Sequence, residues 1–279
     1  MAVFYNQATL SYSGGTTNSN ITTGQIIDAL TATKTAVSAS YVPGDRITYV
    51  VSLISSSDGT LTDLTVTDDL GGYDFDGETV YPLSFVAGSL LFYVDGVLQA
   101  TPSVVEGPPL TISGISIPPG ENVMLIYEAI VTEYAPLGDD ASITNTVLVS
   151  GACPAEAQST VCMNQTPRLT LSKAITPGCV TCKGEITYTM TITNTGQAAT
   201  SEDAIVLSDT FDPLLHDIAV TLDGMPLTEQ TDYAYDESTG EFATIAGAIT
   251  VPAATFAQNS EGAWITTPGV TTLEVTGTL

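Results

Sequence analysis

Only three lysines occur in the 279 residues, at positions 34, 173 and 183, and two of them share one recurring context. Lys34 sits in ALTATKTAV and Lys173 in RLTLSKAIT, both runs of strand type. Two asparagines, Asn6 and Asn145, share a second context, and two aspartates, Asp68 and Asp209, a third. An amine, a carboxylic acid and a carboxamide buried together can react. Burial lowers a lysine pKa and leaves a neutral, nucleophilic amine. The same burial raises an aspartate pKa and leaves an acid that can donate to the carboxamide and shuttle a proton. Packing in a core supplies the effective concentration. The product would be an amide and the leaving group ammonia. An ordinary reading stands beside this one: strand lysines snorkel to solvent, aspartates at strand ends serve turns, and asparagines cap edges.

The elements that would position these groups are set by an internal repeat. KTAVSASYVPGDRITYVVSL, from Lys34, aligns with KAITPGCVTCKGEITYTMTI, from Lys173, so that Ile47-Thr48-Tyr49 matches Ile186-Thr187-Tyr188 without a gap. LTVTDDL then matches IVLSDTF, pairing Asp68 with Asp209, and each copy carries an Asp-Gly hairpin signal, at Asp95-Gly96 and Asp223-Gly224. The period is 139 residues, half of almost the whole chain. The first copy ends in one more strand, ASITNTVLVSG, residues 141–151, which the second lacks because the sequence stops at Leu279. A similar strand stands at the other end, AVFYNQATLSYSG, residues 2–14. Its Phe4, Asn6, Ala8 and Leu10 match Ile143, Asn145, Val147 and Val149, all on one face at period 2. Asn6 precedes Lys34 by 28 residues, and Asn145 precedes Lys173 by 28.

This pattern predicts an all-β fold of two tandem Ig-like β-sandwich domains. The second lacks its last strand, which the N-terminal strand of a neighbouring subunit supplies. The expected boundaries are a donor strand over 1–14, a linker over 15–30, the first domain over 31–151, a cysteine-containing linker over 152–169 and the incomplete, acceptor domain over 170–279. The alternative is that residues 2–14 are an ordinary first strand of the first domain. A sandwich without its last strand exposes an apolar groove and unpaired edges. Folding back on its own chain would be strained, since residues 15–33 reach at most roughly 60 Å when extended, about the length of the domain they would have to cross. Entry into the next subunit is strand addition, and a heterologous contact of that kind makes a ring or an open filament, of which the similar linkers favour the filament.

VPGDRITYVVSL, ITYTMTITNTG, the TDDL and SDTF turns, PPGEN and ITNTVLVSG resemble the prokaryotic surface-protein repeat called the DUF-eleven domain, over nearly the whole chain. The second copy departs from that pattern at CVTCKGE. The resemblance implies an Ig-like sandwich in a stalk, sheath or appendage on cells or spores. The Lys, Asp and Asn trio resembles the isopeptide-forming Ig-like domains of bacterial adhesins and pili. That resemblance implies a bond from Lys34 to Asn145 assisted by Asp68 within one domain. It also implies one from Lys173 to the neighbour's Asn6, assisted by Asp209.

Composition narrows the remaining classes. The formal net charge is −26, with five Lys and Arg in all, which repels nucleic acid and anionic membranes. No apolar run is long enough to span a membrane as a helix. MAVFYNQATLSYSGG has no basic n-region or compact apolar core and is not read as a signal peptide. An extracellular place, on a cell or spore surface, then requires either a removed leader or release by lysis. Cys153, Cys162, Cys179 and Cys182 could form disulfides or hold zinc at the interdomain junction. Asp74, Asp76 and Glu78 in YDFDGETV are weak calcium ligands, more simply a solvated acidic loop. His216, the single histidine, has no patterned partner, and no nucleophile elbow, phosphate loop or metalloprotease motif is present. The chain is therefore expected to be a self-associating structural subunit without a cofactor, and no enzyme beyond its own crosslinking. The rival is a monomeric adhesin or carbohydrate-binding module using Tyr73, Phe75, Trp264 and Tyr235.

Overall fold

The computed structural model describes residues 2–26, 29–151, 153–181 and 183–279. The regular structure is nearly all strand, with one 3-10 turn at Ser201–Asp203 among the described residues. Two compact units form, the first running to Pro136 and including Ser142–Cys162, the second made of Leu137–Ala141 and Met163–Leu279.

In the first unit, one sheet has the strand order Val97–Gln99, Leu91–Val94, Asn122–Val131, Arg46–Ser55 and Leu30–Ala36. The other has the order Ser103–Val105, Leu110–Ile117, Leu61–Asp68, Ser142–Ser150, Ala155–Met163 and Ser40–Tyr41. Alternation decides which residues meet between them. Ile47, Tyr49, Val51 and Leu53 are buried on one strand, Val123, Leu125, Tyr127 and Ala129 on its neighbour. From the second sheet Leu64, Val66, Asp68, Ile143, Asn145, Val147 and Val149 are buried. The register of Leu110–Ile117 shifts between Ser113 and Ile115, where Gly114 takes a φ of +81°. That bulge keeps both Ile112 and Ile115 in the core. Both Asp-Gly pairs make two-residue hairpin loops with positive φ at each position, between Val94 and Val97 and between Leu222 and Met225.

The second unit repeats the first sheet. Leu169–Thr176, Glu185–Asn194, Gly269–Thr278, His216–Leu222 and Met225–Pro226 lie in that order. Lys173 faces Met190 as Lys34 faces Val51, in the register that the repeat requires. Its other layer is smaller. Ser208–Thr210 pairs with Glu241–Thr244, which pairs with Tyr233–Asp236. Among the described residues Ser208–Thr210 pairs on one side only.

Two segments expected as linkers are strands. Residues 15–30 contain Gly15–Asn18 and Thr22–Ile26, which fold back on Thr9–Tyr12 and Ala2–Asn6. A two-residue turn at Ser13-Gly14 joins runs rich in β-branched threonine, so residues 2–26 form one long hairpin arm. Residues 152–169 contain Ala155–Met163, paired along its length with Ser142–Ser150. Its inner face carries Ala155, Ala157, Ser159, Val161 and Met163, the last two buried.

Candidate functional site

Lys34 projects from Leu30–Ala36 and Asp68 from the end of Leu61–Asp68, in opposite sheets, so the two meet inside the sandwich. Lys34 Nζ donates to Asp68 Oδ2 at 2.7 Å, with side-chain exposures of 0% and 1%. Asp68 Oδ1 accepts the Leu70 amide at 2.9 Å, and the Tyr127 hydroxyl donates to Oδ2. Lys34 Nζ also lies 4.9 Å from the centre of the Tyr49 ring, which stacks on Tyr127 at 5.8 Å. This is a dry pocket with one cation and one carboxylate. Burial pushes Lys34 down from 10.5 to about 8, against the opposing pull of the Asp68 charge. Burial, with the Asp68 charge second for Tyr127, pushes the Tyr127 and Tyr49 phenols up, so both hydroxyls keep their protons and can donate.

Asn145 completes the set. Val147 pairs with Asp68 across neighbouring strands, and Asn145 lies two residues away on the same inward face. It is 0% exposed, and neither its Oδ1 nor its Nδ2 has a hydrogen-bond partner. It stands near enough to the Tyr49 and Tyr127 hydroxyls to favour their ionised forms. A buried carboxamide with both atoms unpaired ordinarily costs about 1–3 kcal/mol per group.

The second unit assembles half of this site. Lys173 Nζ pairs with Asp209 Oδ2 and lies 4.4 Å from the Tyr188 ring centre and 5.4 Å from that of Phe211. The two rings stack at 5.0 Å. Here the pair is open, with side-chain exposures of 41% for Lys173 and 20% for Asp209. Leu169 is 38% exposed where its counterpart Leu30 is 5% exposed, and every residue of Leu169–Thr176 is exposed. The register that sets Tyr127 beside Tyr49 sets Val275 beside Tyr188, so the second pocket has no phenol in that place. Asn6 lies on the arm, where Phe4, Asn6, Ala8 and Leu10 are all exposed.

Sequence reasoning named Lys34, Asp68 and Asn145 but missed Tyr127 and Tyr49. The available signal was a phenol at an inward position in each of two central strands, where a buried hydroxyl needs a partner. Among the described residues no two cysteines form a disulfide. Cys153, Cys162 and Cys179 stand as free thiols, and Cys182 lies outside the described residues. No group of three His, Cys, Asp or Glu able to hold a metal forms among the described residues. Cys162 lies inside the extended strand Ala155–Met163 and Cys153 just before it, so the strand keeps them roughly 23 Å apart at the usual rise. Asp74, Asp76 and Glu78 belong to a small hairpin turning at Asp76-Gly77. Of the candidate contact aromatics, Tyr73 and Tyr235 spend their hydroxyls on Tyr134 O and on the Leu215 backbone. Phe75 and Trp264 are half-buried. No helix among the described residues is long and apolar enough to cross a membrane.

No family model matches the chain, and no curated protein does. Among solved structures it is similar to BcpA, the major pilin subunit of Bacillus cereus, at 13% identity over 96% of this chain and 73% of that one, with a TM-score of 0.36. It is similar to a C-terminal fragment of the major pilin GBS80 of Streptococcus agalactiae, at 11% identity over 87% and 91%, TM-score 0.35. It is also similar to ACE19, the collagen-binding subdomain of the Enterococcus faecalis surface protein ACE, at 8% identity over 50% and 99%, TM-score 0.33.

Proposed function

We propose that the chain is a structural subunit of an extracellular filament on a cell or spore surface. Copies join head to tail when the N-terminal arm of one fills the open side of the second unit of another. The observation that carries this reading is a matched pair of exposures. Ile143, Asn145, Val147 and Val149 are buried in the first unit, while their counterparts Phe4, Asn6, Ala8 and Leu10 are bare. Leu30, Lys34 and Asp68 are buried in the first unit, while Leu169 and Lys173 are exposed and Asp209 is half-buried. Each face lacks what the other offers.

The chemistry then runs twice. In the first unit Asp68 takes a proton from the Lys34 ammonium, and the neutral amine attacks Cγ of Asn145. A proton moves from the attacking nitrogen to the carboxamide nitrogen, ammonia leaves, and the proton held by Asp68 goes with it as ammonium. One amide forms and one breaks, so no oxidant or cofactor is needed. Tyr127 holds the carboxylate oxygen that faces Lys34. At the joint between copies, Lys173, Asp209 and the incoming Asn6 do the same once docking has excluded water.

A boiled, reduced denaturing gel with intact masses tests this. The expected result is a ladder of multimers in which each bond has removed one ammonia. Monomers lacking one ammonia would leave only the Lys34–Asn145 bond. Unmodified monomers, with no fibres by electron microscopy, would overturn the reading.

A further inference from the structure

The element carrying Asn6 is a pair of strands, and so is the element carrying Asn145. In the first unit Ala155–Met163 lies against Ser142–Ser150 in unbroken antiparallel register, from Ser142 opposite Cys162 to Val149 opposite Ala155. This second strand ties the two sheets together. Ser159, opposite Asn145, accepts the backbone amide of Ala36 at 3.0 Å, and Ala36 belongs to the edge strand of the other sheet. The Cys162 amide donates to Ala39 O at 3.1 Å. Without Ala155–Met163, the edge that carries Lys34 would have no such anchor.

The arm is also a two-stranded ribbon, with its pairing interrupted and its register slipped by one residue between the Asn6–Thr22 and Thr9–Asn18 pairs. Ala2–Asn6 and Thr9–Tyr12 are paired with Thr22–Ile26 and Gly15–Asn18. The residue opposite Asn6 is Thr22, which again has a hydroxyl. In the free arm that hydroxyl is exposed and donates to Asn6 O at 3.2 Å. On the acceptor side, Ile175 pairs with Tyr188 in the register in which Ala36 pairs with Tyr49, so Ile175 is the counterpart of Ala36. Leu169–Thr176 is the edge strand of its sheet, with Ile175 exposed.

We propose that the whole hairpin of residues 2–26, and not its first strand alone, is what a second copy of this chain receives, and that the Thr22 hydroxyl takes the Ile175 amide as Ser159 takes that of Ala36. This deepens the filament reading and rests on it. The first strand brings the carboxamide to Lys173. The second strand fastens the insert to the far sheet and closes the groove over the reacting groups. The joint between copies thereby copies the interior of the first unit strand for strand.

Two synthetic peptides separate the claims when added to the full-length chain. One spans residues 2–26 and the other residues 2–12, and each carries Asn6. The expected result is that the longer peptide caps growing polymers and adds to Lys173 with loss of one ammonia at a concentration at least tenfold below that of the shorter one. In the full chain, Thr22→Val is expected to slow polymer growth roughly fivefold to tenfold, the worth of about one hydrogen bond, and Thr22→Ser to restore it. Equal capping by the two peptides would overturn the hairpin while leaving strand donation standing. Native growth of the Thr22→Val chain would overturn the role of the hydroxyl. Capping by neither peptide, in a chain that does not polymerise, would overturn the filament reading itself.

Discussion

Replacing Asn145 by leucine, a side chain of similar size, has opposite consequences depending on whether the Lys34–Asn145 amide forms. If it forms, residues 34 and 145 are tied across a loop of about 110 residues. Closing such a loop confines the unfolded chain by about 4–5 kcal/mol. For a unit of about 150 residues each kcal/mol moves the transition by about 2–4 °C, so losing the bond lowers the first unit's midpoint by about 10–20 °C. If it does not form, the native chain buries a carboxamide with neither atom hydrogen-bonded. Leucine then relieves about 1–3 kcal/mol and the midpoint rises by several degrees. The measurement is scanning calorimetry of both chains with intact masses alongside. The expected outcome is a lower midpoint for Asn145→Leu, and a native mass short by one ammonia where the variant is short by none. A native chain of full mass, melting at or below the variant, refutes the crosslink.

Four further outcomes are expected. In the proposed step Lys34 and Asp68 share one proton, which Asp68 takes from the amine and returns to the departing ammonia; with Lys34 pushed down to about 8 by burial, ammonia loss during refolding should hold level below about 8 and slow about tenfold per pH unit above it, as timed mass spectra would record. In the Asn145→Leu chain, which keeps a free Lys34, the unfolded state holds more protons between about 8 and 10.5, so stability should rise by ~3 kcal/mol as pH climbs through that window, read by denaturant unfolding. Lys173→Arg, which keeps the charge but cannot form the amide, should still yield fibres under the microscope, yet boiling should reduce them to monomers. Finally, Cys153 and Cys162 should alkylate independently in the native chain, and Cys153→Ser should leave the first unit's melting unchanged, because the strand Ala155–Met163 holds the two sulfurs apart.

The part of this architecture written most clearly in the residues is the part held by apolar alternation. Ile47, Tyr49, Val51 and Leu53 repeat at Ile186, Tyr188, Met190 and Ile192, and the strands Arg46–Ser55 and Glu185–Asn194 begin and end at matching places. Lys34 and Asp68 were legible for the same reason, as charged residues interrupting such runs twice at one spacing. The second strand of each hairpin was not. GTTN, TTGQI and AEAQSTVCM carry small and hydroxylated side chains whose stability as strands comes from pairing along an existing edge, and that partner is not visible locally. Tyr127 was hidden in a different way. Among Val123, Leu125 and Ala129 it reads as core filler, and its bond to Asp68 depends on how two sheets face each other. Cys153 and Cys162 are close in sequence, and the extended strand Ala155–Met163 converts that closeness into distance.

In the filament proposed above, the arm's internal pairing also bears on how quickly subunits would join. Freezing a residue's backbone costs about 1–2 kcal/mol, so a loose donor strand would carry a heavy ordering penalty into every docking event. Here that ordering has already happened, because Ala2–Asn6 and Thr9–Tyr12 are laid against their partners before any neighbour arrives. A preformed insert meets its groove as a rigid body, and more of the contact energy remains to hold the joint. The same pairing occupies one side of each strand's backbone, so a lone subunit offers its surroundings less bare edge for indiscriminate pairing. In the proposed filament, readiness to assemble with its own kind and restraint toward everything else would thus both come from a single turn at Ser13-Gly14.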